Sequence, residues 1–446
     1  MIAVETQPKY QLVTFGCQMN KNDSERIAGL LGRLGFAETQ EESDADLIVL
    51  NTCSVRQSAE DRIFGKMEDY LRLKKTNPDL IVAVTGCMAG RDKKGEFRKR
   101  LGAVDLYFPT PQMVNLPKWI AELRPDLMNS ADLETDYLKI MPLRTQKAQA
   151  FVTIQTGCNK FCTYCVVPHA RGLEVNRTVK DILDEIRDVV AHGAIEITLL
   201  GQTVNSFRAK DSETFSRSNP YKDHFAALLW EVNHIEGIER IHWTAAHPIS
   251  MSDEVIDALT LSKQVNYLHL PVQAGNNDVL FRMNRKYTRE KFLDVIRKVK
   301  EKRPGIAIGT DIIVGFPGET AEQFEDTVSL YRECNFDISY TAQYSPRSGT
   351  LGVKLFPDDV PKEEKKRRWE VLQDLMEETV RRKNQAYVGT DVKVLVDRME
   401  NGFAYGNSPE LKLTRFMAAD PECIGTIATV QITQALEWQL VGKLVS

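Results

Sequence analysis

From Gln11 onward, short aliphatic runs alternate with stretches of helical period. Gln11 to Phe15, Asp46 to Asn51 (DLIVLN) and Leu80 to Thr85 (LIVAVT) have the length and β-branched content of buried strands. Asp23 to Leu34, with Asn22 or Asp23 as its cap, Ser58 to about Lys75, and Glu96 to Leu101 carry helical spacing. Such alternation predicts a parallel, doubly wound α/β sheet. The stretch Arg124 to Gln149 is polar and aperiodic and reads as a linker. Six more strand candidates follow, interleaved with helices: Ala150–Thr156, Glu196–Gly201, Arg240–Ala246, Tyr267–Val272, Ile306–Val314 and Ile338–Tyr344. They predict a (β/α) barrel or partial barrel, whose chemistry sits at the C-terminal strand ends. Arg208 to Asp223, rich in Ser, Asp, Lys and Asn, reads as a surface insertion. A charged helix is expected from Pro361 to Tyr387, and the alternating runs after it predict a small all-β barrel. The expected divisions are 9–124, a linker over 125–148, 149–384 and 385–446.

Composition narrows the class. At 446 residues, with 42% hydrophobic and 27% charged content, the chain is expected to form two to four globular domains. It contains no apolar run of bilayer-spanning length, and MIAVETQPKYQ lacks the basic and apolar regions of a signal peptide. Eight cysteines without a secretion signal read as reduced thiols, so a cytoplasmic protein with no membrane partner is expected. The net charge is −4, so nucleic acid would have to be met by local basic patches. Lys365-Lys366-Arg367-Arg368 and Arg381-Arg382-Lys383 are accompanied by Glu363, Glu364, Glu370 and Glu377, the pattern of a solvated helix face.

The cysteines carry the most specific chemistry. Cys158, Cys162 and Cys165 form a C-x3-C-x2-C run within a polar loop. Three thiolates can hold three irons of a four-iron cube and leave the fourth open, whereas structural zinc closes its shell with four ligands. Cys17, Cys53 and Cys87 each stand just past the end of one predicted strand of the first sheet. Ligands of open parallel sheets bind at that edge, and helix N-termini there favour thiolates. The three therefore read as a second three-thiolate site with its own open position. The C-x3-C-x2-C run resembles that of radical S-adenosylmethionine (SAM) enzymes, and on that resemblance Gln202, Asn205, His247 and Gln273, which follow barrel strands, are candidates to hold SAM. The run Gly309 to Thr320 (GTDIIVGFPGET) permits close backbone approach to a ligand. Cys334, on an amphipathic helix, reads as a core thiol, and Cys423 has no partner motif.

With both triads in view, the chain resembles the radical-SAM methylthiotransferases over nearly its whole length. The likeness rests on Phe15-Gly16-Cys17-Gln18-Met19-Asn20, Asn51-Thr52-Cys53-Ser54-Val55-Arg56 and Thr85-Gly86-Cys87-Met88-Ala89. It continues through the Cys158 loop with Val166-Val167-Pro168 and Arg171-Gly172, then His247-Pro248, Leu270-Pro271-Val272-Gln273 and Thr310 to Thr320. The resemblance implies a radical-SAM central barrel, a TRAM-like C-terminal barrel, two [4Fe-4S] clusters and SAM. One cluster, on Cys158, Cys162 and Cys165, would cleave SAM to a 5′-deoxyadenosyl radical. The auxiliary cluster, on Cys17, Cys53 and Cys87, would carry the sulfur, which a second SAM methylates. The implied substrate is C2 of isopentenyladenosine next to the anticodon of tRNA. The alternatives are an aspartate of a ribosomal protein and threonylcarbamoyladenosine in tRNA. A flavodoxin- or ferredoxin-like electron donor is implied, while the sulfur donor stays open. From Val388 on, five Lys and Arg stand against seven Asp and Glu. Phosphate contacts are therefore expected from the Pro361 helix or from Arg91–Arg100 (RDKKGEFRKR) instead.

Overall fold

The computed structural model describes residues 7–54, 57–102, 104–128, 135–144, 146, 148–418 and 420–445. The chain forms two compact units. One comprises Met1–Thr145, Gln155–Asn159 and Cys165–Val175, and the other Gln146–Ile154, Lys160–Tyr164 and Asn176–Ser446.

In the first unit, five parallel strands lie in the order Ala37–Glu38, Lys9–Phe15, Leu47–Thr52, Ile81–Gly86, Leu106–Phe108. Leu47–Thr52 and Ile81–Gly86 are buried at every position, because helices cover both faces of the sheet. Val49 and Ala83 pack on one side with Ile27, Leu31 and Ile120. Ile48, Leu50, Val82 and Val84 pack on the other with Ile63 and Met67. The first helix, Gln18–Arg33, starts earlier than its sequence suggests, and its N-cap is Cys17 instead of Asn22 or Asp23. Those two lie inside the helix and are buried. Asn22 Nδ2 donates to Glu25 on the same helix at 3.0 Å, while Asp23 pairs with Arg171, remote in sequence, at 2.6 Å.

Of the expected linker, residues 129–134, 145 and 147 lie outside the described residues, and the rest is not a free tether. Leu127, Tyr137, Leu138 and Ile140 join the core of the first unit. Arg26 Nη1 donates to the carbonyls of Leu138 (3.0 Å) and Ile140 (2.5 Å). An irregular segment held by side-chain-to-backbone bonds leaves no period to read.

The second unit contains two three-stranded parallel sheets. Arg240–Trp243, Glu196–Leu200 and Gln149–Thr153 make one, and Tyr267–His269, Ala307–Val314 and Ile338–Gln343 the other. A parallel bridge from Ile241 to Gln264 joins them into a six-stranded partial barrel. Arg240–Trp243 and Tyr267–His269 each end three residues short of their expected ends. Left-handed residues follow each, Ala245 (φ 61°) and Gln273 (φ 71°), and Gln273 still makes a parallel bridge to Ile312. The segment expected as a surface insertion has a structural task, since Asp211 accepts from the backbone N–H groups of Val179 (2.7 Å) and Lys180 (3.0 Å) at the start of helix Val179–Ala191.

Helix Lys362–Gln385 uses its basic clusters internally. Lys365 pairs with Asp358 at 2.5 Å, and Arg367 with Glu364 at 2.8 Å. Arg368 reaches the buried Glu319 at 2.8 Å, and Glu319 also accepts from Gly315 N at 2.6 Å. Arg368→Met strands that carboxylate, so a loss of about 3–5 kcal/mol is expected. Urea denaturation of the variant beside the parent protein measures it.

The last five strands, Asp391–Glu400, Phe403–Asn407, Leu413–Met417, Leu440–Leu444 and Ile427–Ala435, close into a barrel. Its Asn407 and Ser408 carbonyls receive Arg240 at 2.8 and 3.1 Å. Among the described residues, no helix is long and apolar enough to cross a membrane.

Candidate functional site: two cysteine triads

Parallel register brings the first triad to one sheet edge. Phe15 pairs with Thr52, and Thr52 with Gly86, so Cys17, Cys53 and Cys87 leave three adjacent strands at nearly the same level. Gly16 makes the closest approach possible, because a Cβ there would lie 2.8 Å from Cys53 Cβ. Gly86, at φ 102°, likewise has no room for a side chain beside the Thr52 carbonyl.

A buried polar network fixes the loops. Asn20 Nδ2 donates to Asn51 Oδ1 at 3.1 Å, while Asn51 Nδ2 donates to Asn20 O (2.8 Å) and Ser24 Oγ (2.9 Å). Asn20 Oδ1 accepts from Cys17 N at 3.4 Å. On the other side, Glu60 accepts from Ser54 Oγ and, at 2.7 Å, from Arg91 Nη2. That ties the Cys53 turn to the helix that Cys87 begins. The motif residues Asn20, Asn51 and Ser54 thus position cysteines. Asn51→Ala leaves buried donors and acceptors unpaired and should cost about 1–3 kcal/mol. Chemical denaturation of the metal-free protein reads that loss.

Electrostatics favours an anionic sulfur at Cys17. Cys17 is lowered to about 6, first by a hydrogen bond from Cys53, then by Arg171 and the N–H groups of Asn20 and Met19. Burial raises Cys87, and Arg171 opposes that. Arg171 Nε lies 3.3 Å from Cys87 Sγ, and its Nη2 pairs with Asp23 at 2.6 Å.

The second triad belongs to the loop after the first barrel strand. Within the first unit, Cys158 N donates to Gly172 O at 3.1 Å, and Cys165 Sγ accepts from Val167 N at 3.4 Å. Within the second, the loop tip is pinned from several directions. Thr163 N donates to Met283 O (3.1 Å), Thr163 Oγ1 to Arg282 O (2.9 Å), and Asn284 Nδ2 to Phe161 O (2.9 Å). Arg285, buried, sends Nη1 to Cys162 Sγ at 3.3 Å. Each triad therefore has one sulfur that accepts from a buried guanidinium. Sequence reading missed Arg285, which stands among the other cations Arg282, Lys286 and Arg289 and carries no distinguishing signal.

The expected SAM contacts fare differently. Asn205 is buried and bound at both ends of its amide to the His247 backbone (3.0 and 2.8 Å), so its first role is to tie two strand ends together. His247 Nδ1 accepts from Ile249 N at 3.3 Å, and burial pushes the ring down to about 2, which keeps it neutral. Gln273 holds a left-handed backbone that strains a non-glycine residue, a feature that collects at ligand sites. Gln202 is half-buried beside the Glu196–Leu200 strand. Cys334 is a core thiol raised to about 12 by burial, and Cys423 packs against the barrel core with its Sγ 3.7 Å from Met399 sulfur.

Among the described residues, no three His, Cys, Asp or Glu side chains close on one metal ion. A cube spreads its thiolates over separate irons and does not require that convergence. The donor set fits such a cluster: three thiols at one edge, one lowered, one bonded to a buried cation.

Barrel and cysteine loop together define a radical-SAM enzyme, and residues 152–331 match the Radical SAM superfamily. Residues 9–109 match Uncharacterized protein family UPF0004. The fold is shared with a radical SAM methyltransferase from Kitasatospora setae, TsrM, at TM-score 0.55 and 13% identity, covering 78% of each chain. It is shared also with the cobalamin-dependent radical enzyme OxsB at TM-score 0.53 and 13% identity, covering 92% of this chain and 64% of that one. A tRNA-2-methylthio-N(6)-dimethylallyladenosine synthase of Clostridium botulinum (strain Okra / Type B1) is 40% identical over 98% of this chain and 96% of its own. One from Bacillus mycoides is 41% identical over 98% of this chain and 86% of its own. The chain belongs to this family of radical-SAM methylthiotransferases.

Proposed function

We infer that this protein is a tRNA methylthiotransferase that places a methylthio group on C2 of N6-dimethylallyladenosine next to the anticodon. Likeness to the synthases along almost the whole chain carries the reading. When bound, two [4Fe-4S] clusters and SAM supply the 5′-deoxyadenosyl radical, the sulfur and its methyl group.

The chain's own residues hold, orient and shield. Cys158, Cys162 and Cys165 take the radical-forming cluster, with Thr163 and Asn284 fixing the loop and Arg285 donating to Cys162. Gln202 and Gln273 are the contacts proposed for SAM, with Asn205 keeping the strand ends in place. Cys17, Cys53 and Cys87 take the auxiliary cluster. Functional domains over 9–124, 149–384 and 385–446 belong to the same reading, as do a flavodoxin- or ferredoxin-like donor and a cytoplasmic setting.

The tRNA needs a basic surface. Since the Pro361 helix engages Lys365, Arg367 and Arg368 in ion pairs, Lys93, Lys94, Arg98, Lys99 and Arg100 are the better candidates, all exposed in the first unit. Replacing Lys94, Arg98 and Lys99 by Gln should reduce the slope of log affinity against log salt by about 2 to 3. Filter binding of tRNA across a salt series measures it; an unchanged slope moves the contact elsewhere.

The substrate assignment is tested by offering the anaerobically reconstituted enzyme three tRNAs, bearing adenosine, dimethylallyladenosine or threonylcarbamoyladenosine at the same position, and a ribosomal protein. Mass spectrometry should find methylthio product on the dimethylallyl tRNA. Product on the ribosomal protein alone would transfer the assignment to that branch.

A further inference from the structure

The inner wall of the partial barrel carries a hydrogen-bonded chain of its own. Side chains alternate between the two faces of each strand. Leu268, Leu270, Ile308, Ile312 and Val314 face the surrounding helices and join the main core. Ser339 faces the same way, with its Oγ 3.3 Å from the hydroxyl of Tyr331 on helix Ala321–Cys334. Tyr267, His269, Asp311 and Tyr340 therefore face inward. Parallel register sets Asp311 directly opposite Tyr340, and His269 opposite Gly309. A Cβ on Gly309 would overlap the Tyr267 hydroxyl and lie 2.9 Å from His269 Nδ1, so glycine leaves that pair its space.

The chain has one direction. Tyr267 Oη lies 3.0 Å from His269 Nδ1, and His269 Nε2 lies 3.2 Å from Asp311 Oδ2. A carboxylate only accepts, so Nε2 carries the proton, and Nδ1 of the neutral ring accepts from Tyr267. Near the strand starts the wall is sealed, where Leu411 of the C-terminal barrel packs against Val265, Tyr267 and Ala307. Towards the strand ends it is accessible: the Asp311 side chain is 41% exposed and Tyr340 52%. A carboxylate held by His269 beside an exposed aromatic face suits a planar heterocycle with one N–H donor.

We propose that Asp311 is a specificity-determining residue that accepts the exocyclic N6–H of the substrate adenine, with Tyr340 supplying a ring face and His269 and Tyr267 positioning the carboxylate. This rests on the reading of N6-dimethylallyladenosine as the substrate. Alkylated N6 keeps a single hydrogen, and the carboxylate, with Oδ2 given to His269, has its second oxygen to receive it.

The test uses full-length reconstituted enzyme and two tRNAs assembled by ligating a synthetic anticodon segment. One carries N6-dimethylallyladenosine; in the other an ether oxygen replaces N6–H and bears the same dimethylallyl group. Affinities are measured with SAM present and no reductant. The parent should bind the amine about ten- to hundredfold more tightly than the ether. Asp311→Ala removes the acceptor and should bring that ratio near one. Asp311→Asn keeps the shape and the acceptor for His269 but turns an amide N–H towards the base, so the ratio should fall to one or below. A parent ratio near one, or a ratio unchanged in both variants, would overturn the proposal; if SAM affinity falls in its place, the carboxylate serves SAM. With reductant and sulfide added, the parent should make methylthio product on the amine tRNA. No product there removes the substrate reading itself, and the role of Asp311 with it.

Discussion

Cys162→Ala should abolish both 5′-deoxyadenosine and methylthio product, and the protein should lose the iron of one cluster. Cys162 sits on a loop tip pinned through Thr163 and Asn284, so the backbone keeps its place without the sulfur. What goes is one of three thiolates, and a cube held by two has a second open iron and no fixed orientation. Arg285 is left facing a methyl group, a buried cation that has lost one acceptor but keeps Pro271 O at 3.2 Å and the Tyr287 hydroxyl at 3.0 Å. The fold should therefore survive, and circular dichroism should match the parent. Anaerobic reconstitution, iron analysis and chromatography of the SAM products give the result. Deoxyadenosine formed at the parental rate would remove Cys162 from the radical site.

Cys17→Ala should separate the two halves of the reaction. Deoxyadenosine formation should continue, while methylthio transfer falls to background. Cys17 is exposed at the sheet edge and caps its helix mainly through backbone and Asn20, so the substitution removes little structure. It takes away a thiol held below its ordinary range by Cys53 and Arg171. Both products, quantified from one incubation with SAM, reductant, sulfide and dimethylallyl tRNA, decide the matter. Loss of both would undo the division of labour between the triads.

Much of this arrangement is legible in the sequence because it depends on local pattern. Continuous aliphatic runs such as DLIVLN announce strands buried on both faces, and strand–helix alternation makes them parallel. Parallel neighbours then place cysteines that are far apart in sequence at one edge. What stays hidden is whatever depends on distant partners. Asp23 looks like a cap until its buried contact with Arg171 is found. Asn205 looks like a ligand contact until its amide is found on the His247 backbone. Arg285 gives no motif, and the linker gives no period although Tyr137 and Ile140 are core residues. Charge runs mislead in the same way, since Arg368 is a buried counter-ion and not part of a docking face.

The claim that the radical made at the Cys158 loop acts on C2 of the adenine is open to one direct measurement. Dimethylallyl tRNA carrying deuterium at C2 of the target adenosine is incubated with the reconstituted enzyme, and both products are weighed by mass spectrometry. The account predicts 5′-deoxyadenosine that has gained one deuterium and a nucleoside that has lost it and gained a methylthio group. Methylthio product accompanied by deoxyadenosine without deuterium would contradict it.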